Sequence, residues 1–270
     1  MDLAIEINQL KKSWGSHTVL NGVSFNVYFN EIFALLGVNG AGKTTLLECM
    51  EGLNKYDSGL IKLHGKAGIQ LQNSSLPAHI RPLEAVRLFA KWNKTKIDYS
   101  MLEALGIDKL QKKQYAQLSV GQKRRLNLAL ALVRGGNIVF LDEPTSGLDV
   151  EGKTNLHTLI RSLKEQGKAV ILSSHDMAEV ENLCDRIAIL NGGKIAFCGT
   201  PAQLDEKFGK QFCIKIKTAQ GIITCKTHDI AHSLLVLIQK LKQEGMEILD
   251  IKADRGALEE HFIQLSGRDN

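Results

Sequence analysis

The sequence predicts an α/β protein: a parallel, doubly wound core, preceded by an antiparallel β part and followed by a small α+β appendage. Three observations carry that expectation. The apolar runs "IFALL", "NIVFLD" and "AVILS" show no polar alternation, as strands covered on both faces require. Stretches with helical spacing separate them, and strand–helix–strand alternation builds parallel sheets with right-handed crossovers. Residues 1–36, in contrast, read as short, partly alternating strands bounded by Gly and Asn.

The elements follow in order. "IEINQLKK", "VSFNVYF" and "IFALLG" are the first strands, and a helix begins at Gly42. Strands are expected near 60–63 and 68–71, then helices from about 82 to 115. A helix after Gly121 leads into the buried strand "NIVFLDE", and a long helix over about 150–166 leads into "AVILSSH". The composition changes near Lys207–Lys210. The tail reads as strand "QFCIKIKT", strand "GIITCKT", a helix over about 230–244, strand "EILDIKA" and a final helix "GALEEHFIQL". The expected division is therefore a main domain over 1–210, with a helical part at about 73–135, and an appendage over 211–270.

Composition narrows the classes of function. Apolar residues make up 44% of the chain and charged residues 23%, the balance of an ordinary globular protein. No apolar run approaches the roughly 20 residues that span a bilayer. The start "MDLAIEINQL" is acidic and alternating, unlike a signal peptide. If the protein acts at a membrane, another chain must cross it. The net charge of +5 is mild, and the basic clusters Lys109/Lys112/Lys113 and Lys123/Arg124/Arg125 read as solvated helix faces, so no nucleic acid partner is expected. Five cysteines with no CxxC pair argue against a metal or disulfide framework and for a reducing cytoplasm.

Two stretches carry chemistry. "GVNGAGKT" (Gly37–Thr44) follows an apolar strand and opens a helix, the context in which the pattern G-x-x-x-x-G-K-[ST] forms a phosphate-binding loop. Its glycines let the backbone wrap a phosphate, with the amides of Gly40, Ala41, Gly42, Lys43 and Thr44 pointing inward. Lys43 is expected to reach the β- and γ-phosphates and Thr44 to ligate Mg²⁺. "NIVFLDEPTSGLD" then delivers Asp142 to the Mg²⁺ site on a buried strand, with Glu143 at the strand's carboxyl edge, where it can orient or deprotonate an attacking water. "AVILSSHDM" adds His175 at a third strand end, placed to hydrogen-bond a γ-phosphate. "QLSVGQKRRLNLALALV" is a second helix start suited to an anion, separate from the phosphate loop.

Over about residues 3–210 the chain resembles the nucleotide-binding subunit of ATP-binding cassette (ABC) transporters, with all of the family's motifs in the family's order. "GVNGAGKT" and "IVFLDE" resemble its Walker A and B motifs and "LSVGQ" (Leu118–Gln122) its signature; Val120 stands where the signature usually has Gly. Gln72 falls at the Q-loop, Ser146–Asp149 at the D-loop and His175 at the switch histidine. Trp14 falls where the family places an aromatic that stacks on adenine. The resemblance implies an ABC-ATPase fold with ATP and Mg²⁺ as ligands. It adds Gly37, Asn39 and Thr45 to the nucleotide-binding set, and Gln72 to Thr44 and Asp142 at the metal.

The resemblance also accounts for the second helix start. In this family two cassettes pair head to tail, so Ser119, Gly121 and Gln122 of one subunit would face the ATP held by the other. It implies Glu143 as base, with His175 and Gln72 positioning phosphate and water. The partners implied are a second ABC ATPase subunit, a homodimer by expectation, and a separate transmembrane permease, which place the chain on the cytoplasmic face of the cell membrane. The tail resembles that of ABC-2-type export subunits, so an exporter is expected. The stretch between Leu63 and Gln72 is shorter than is usual in the family. A soluble ABC ATPase of translation or DNA repair is the alternative, weakened by the single cassette and the lack of a heptad run. A P-loop kinase or GTPase would lack the signature helix.

Overall fold

The computed structural model describes residues 2–70, 76–174, 176–208, 212–227 and 229–255. The chain divides into two compact units, Met1–Cys198 and Gly199–Asn270.

In the first unit, β1 (Leu3–Trp14) and β2 (His17–Tyr28) form an antiparallel hairpin, and β4 (Ser58–Leu63) pairs with the other edge of β1. The larger sheet has six strands in the order β5-β6-β7-β3-β8-β9: β5 (Ala67–Ile69), β6 (Ile138–Asp142), β7 (Ala169–Ser173), β3 (Ile32–Gly37), β8 (Arg186–Asn191) and β9 (Lys194–Gly199). The pairs β5–β6, β6–β7, β7–β3 and β3–β8 are parallel. All of β3 and β7 is buried, which is why their sequences are continuous apolar runs. Between the two sheets Ile5, Leu10, Leu20, Leu35 and Phe140 close a core, and Phe25 stacks on Phe33 with ring centroids 5.3 Å apart. At its margin the Glu31 carboxylate, 3% exposed, meets Arg186 Nη1 at 3.1 Å.

The helices of this unit are α1 (Lys43–Met50), α2 (Pro82–Asn93), α3 (Tyr99–Ala104), α4 (Val120–Val133), α5 (Val150–Glu165) and α6 (Met177–Leu183). Proline opens α2, where its missing N–H costs nothing. The second half of α4, Leu128–Val133, is buried throughout. The hairpin β8–β9 and helix α6 extend what periodicity indicated. The hairpin turns on Gly192 and Gly193 at positive φ, and the Gly193 carbonyl accepts from the Asn21 amide at 2.8 Å, tying it to β2.

The second unit begins with α7 (Pro201–Phe208), which lies between this division and the boundary expected at 210. It continues with β10 (Phe212–Thr218), β11 (Gly221–Thr227), α8 (Ile230–Gln243) and β12 (Ile248–Arg255). The strands pair antiparallel in the order β11-β10-β12, and Ile214, Ile216 and Leu241 form a small core with Leu234 and Leu237 of α8 packed against it. This matches the strand, strand, helix, strand reading of the tail. The final helix expected over "GALEEHFIQL" lies outside the described residues.

Candidate functional site

Three neighbouring strands end at one edge of the parallel sheet. The register aligns Leu35 of β3 with Ser173 of β7, and Ser173 with Asp142 of β6. Ligands of open α/β sheets bind at these carboxyl ends.

The phosphate loop leaves β3 at Gly37 and closes with the Ala41 amide donating to the Val38 carbonyl at 3.0 Å. Gly42 caps α1 at φ 101°, a left-handed conformation unsuited to residues with a Cβ. A Cβ there would also stand 3.0 Å from Val19 Cγ1, so β2 runs directly against the loop. Asn39, Gly40 and Thr44 are exposed and Thr45 is half-buried, while Gly37 and Ala41 are buried. Lys43 folds back over the loop, its Nζ donating to the Gly37 carbonyl at 2.6 Å and to Val38 at 3.3 Å. Burial lowers the Lys43 pKa, against the pull of the Glu143 and Asp142 carboxylates.

On β6 the Asp142 carboxylate accepts from the Ser173 hydroxyl, and the Glu143 amide donates to that same Ser173 Oγ at 3.0 Å. Glu143 has φ 48°, an uncommon conformation for a residue other than glycine, which turns the chain sharply out of the strand. Ser173 was not singled out from sequence. Its one signal is a hydroxyl ending an otherwise apolar strand. Gln72 and His175 lie outside the described residues.

Among the described residues no cluster of three His, Cys, Asp or Glu side chains could hold a metal by itself. The Thr44 hydroxyl and Asp142 carboxylate instead fit Mg²⁺, which takes one or two protein oxygens and completes its shell with phosphate and water.

The helix expected after Gly121 begins one residue earlier, as α4 at Val120. Ser119 caps α4, its Oγ accepting from the Gln122 amide at 3.3 Å, while Gln122 Oε1 accepts from the Ser119 amide at 3.1 Å. Val120 is 71% exposed, so the absent glycine leaves no packing defect. A Cβ on Gly121 would stand 3.1 Å from the Gly147 carbonyl, and Arg124 donates to the Ser146 carbonyl. The signature and the D-loop of the same chain are thus in contact.

Trp14 ends β1 beside the turn, opposite His17, and is 52% exposed. The Lys12 ammonium covers one face of the indole at 4.3 Å.

At the C-terminal end of α1, Glu51 is a further carboxyl that sequence reading did not select. Burial first, then Asp142 and Glu48, push its pKa up to about 7.

Comparison with known proteins gives a consistent result. The family described as ABC transporter matches residues 20–146. An uncharacterised ABC transporter ATP-binding protein of Methanocaldococcus jannaschii is 36% identical over 266 residues, covering 96% of this chain and 98% of that protein. A Nod factor export ATP-binding protein of a Rhizobium species is 30% identical over 304 residues, covering 99% and 98%. A solved structure titled as the ATP binding subunit of an ABC transporter superposes with a TM-score of 0.70 at 25% identity, covering 76% of this chain and 93% of that one.

Proposed function

We propose how this chain works from the premise that it belongs to the ATP-binding proteins of ABC transporters, which its relatives establish. It is the ATP-binding subunit of such a transporter and an ATPase that powers transport with a transmembrane partner. None of the relatives named above supports the soluble alternative.

The hydrolytic roles are assigned as follows. Lys43 leaves the Gly37 and Val38 carbonyls to meet the β- and γ-phosphates, beside the amides of Gly40, Ala41, Gly42, Thr44 and Thr45. Thr44 and Asp142 would hold Mg²⁺, which supplies neutralising charge to the phosphates when bound. Glu143 orients and deprotonates the attacking water for in-line displacement. Gln72 and His175 keep the positioning roles that the resemblance implies. The observation that carries this reading is the convergence of Lys43 and the two carboxylates, Asp142 and Glu143, at the carboxyl ends of β3 and β6, which flank β7.

A second copy of this chain is the simplest cassette partner, with Ser119 and Gly121 facing its ATP. The transmembrane partner would dock on an apolar groove of about 420 Å³ lined by Leu53, Ile69, Leu76, Phe89, Trp92 and Leu130. Trp92 is 77% exposed there, and Phe89 meets it edge-on at 6.3 Å. Ile69 and Leu76 flank the segment that carries Gln72, so a chain seated in the groove would sense the nucleotide site. No described helix is long and apolar enough to cross a membrane. From the transmembrane partner that the family implies we assign a peripheral place on the cytoplasmic face, and export as the direction, the latter supported by the relative named for Nod factor export.

Purification of the full chain from membranes in mild detergent tests the partner and the groove together. A multispanning protein should co-purify with the ATPase, and Trp92→Glu should release it while nucleotide binding persists. Recovery of the ATPase without any membrane protein would contradict this reading.

A further inference from the structure

Glu179 lies on α6, is 6% exposed, and takes no part in the phosphate loop. Both of its carboxylate oxygens are engaged. Oε2 accepts from Thr145 Oγ1 at 2.9 Å and from Ser174 Oγ at 3.0 Å. Oε1 stands 2.8 Å from His157 Nε2 of α5. Its backbone amide donates to Asp176 Oδ1 at 3.1 Å, and the Asp176 amide returns to Ser174 Oγ at 3.1 Å.

The two hydroxyl donors come from separate segments. Thr145 lies two residues beyond Glu143, in a turn where the Ser146 amide donates to the Glu143 carbonyl at 3.2 Å and the Leu148 amide to the Thr145 carbonyl at 3.1 Å. Ser174 and Asp176 flank position 175 on either side, and Glu179 holds both. One buried carboxylate oxygen therefore joins the turn after Glu143 to the segment that carries His175.

We propose that Glu179 is a positioning residue for ATP hydrolysis: through Thr145 and Ser174 it locks the turn that aims Glu143 to the residues on either side of position 175, so that the two respond to nucleotide as one unit. One carboxylate oxygen accepts from both hydroxyls while the other faces the His157 ring, whereas an amide has one acceptor oxygen and sets an NH₂ donor in the second place. The proposal rests on the reading of Glu143 and His175 as hydrolytic residues.

Steady-state hydrolysis of MgATP by the full chain tests it, with the melting temperature measured for every variant. Glu179→Gln and Thr145→Val should lower kcat about tenfold or more with KM within about twofold, and the double variant should be no slower than the slower single one. Thr145→Ser keeps the hydroxyl and should turn over near the parent rate. A parent kcat in Glu179→Gln would overturn the proposal, as would equal rates in Thr145→Val and Thr145→Ser. If Glu179→Gln does not fold, the two Thr145 variants decide. Glu143→Gln measured alongside separates the two readings: parent turnover there overturns the base assignment, whereas parent turnover in Glu179→Gln beside an inactive Glu143→Gln overturns the positioning role alone.

Discussion

The Glu143 amide donates to Ser173 Oγ at 3.0 Å while that hydroxyl donates to the Asp142 carboxylate, so one serine of β7 holds both the last residue of β6 and the acidic residue that follows it. The arrangement solves a local problem. Consecutive side chains of a strand point to opposite faces, whereas the proposed mechanism uses both carboxylates at one site. The positive φ of Glu143 breaks the alternation, and Ser173 satisfies the amide which that break removes from the sheet.

Trp14 gives the first prediction. Val19 packs against Gly42, so the hairpin ending in Trp14 reaches the phosphate loop. With Lys12 over one face of the ring, adenine would stack on the other. Trp14→Ala should weaken ATP binding by about 1–3 kcal/mol, the worth of one base on an aromatic, and Trp14→Tyr should largely preserve it. Titration with a fluorescent ATP analogue reads this out. Unchanged affinity in the alanine variant would leave Trp14 a surface residue.

Glu51 supplies a pH dependence. Its folded pKa of about 7 lies above the 4.5 of an ordinary glutamate. Folding therefore favours the protonated carboxyl: that contribution is complete below about 4.5 and is lost as pH rises through about 7. In nucleotide-free, Mg²⁺-free protein, Glu51→Gln should stabilise the fold near pH 8 by on the order of 1 kcal/mol, allowing for partial solvent screening, and change little near pH 4. Urea melts across this range check it. An equal effect at both ends would mean that the carboxyl does not titrate in this window.

The signature should act on the partner's ATP. Let one subunit carry Lys43→Ala and the other Ser119→Asp, since aspartate still caps α4 and brings negative charge toward the phosphate. In a head-to-tail dimer both lesions fall in one composite site and the other stays whole. Mixed dimers, isolated with two different tags, should occlude one ATP. Occlusion no greater than in either mutant homodimer would contradict the trans arrangement.

The legible parts of this molecule are those where one local pattern has one physical solution. Buried strands read directly from "IFALL" and "AVILS", and the phosphate loop from glycines between a strand and a helix. A helix start near Ser119 was legible from "LSVGQ", while its capping box with Gln122 emerged only from the structure. Contacts across long separations were not legible. Gly42 against Val19, Glu143 against Ser173 and Thr145 against Glu179 each depend on how strands are ordered in the sheet. A left-handed glutamate leaves no mark in composition or periodicity. The buried network around Glu179 was hidden for the same reason: its members Thr145, His157, Ser174 and Glu179 share no motif spacing and meet only after β6 and β7 pair.

Glu143→Gln tests the central claim most directly. The side chain keeps its size while losing the base, so binding should persist and hydrolysis should not. ATP affinity should stay near the parent value, and single-turnover hydrolysis should fall by about a hundredfold or more, within the range general-base catalysis supplies. Dimers trapped with ATP should accumulate. Hydrolysis at the parent rate, with ATP bound normally, would contradict the assignment of Glu143 as the group that activates water.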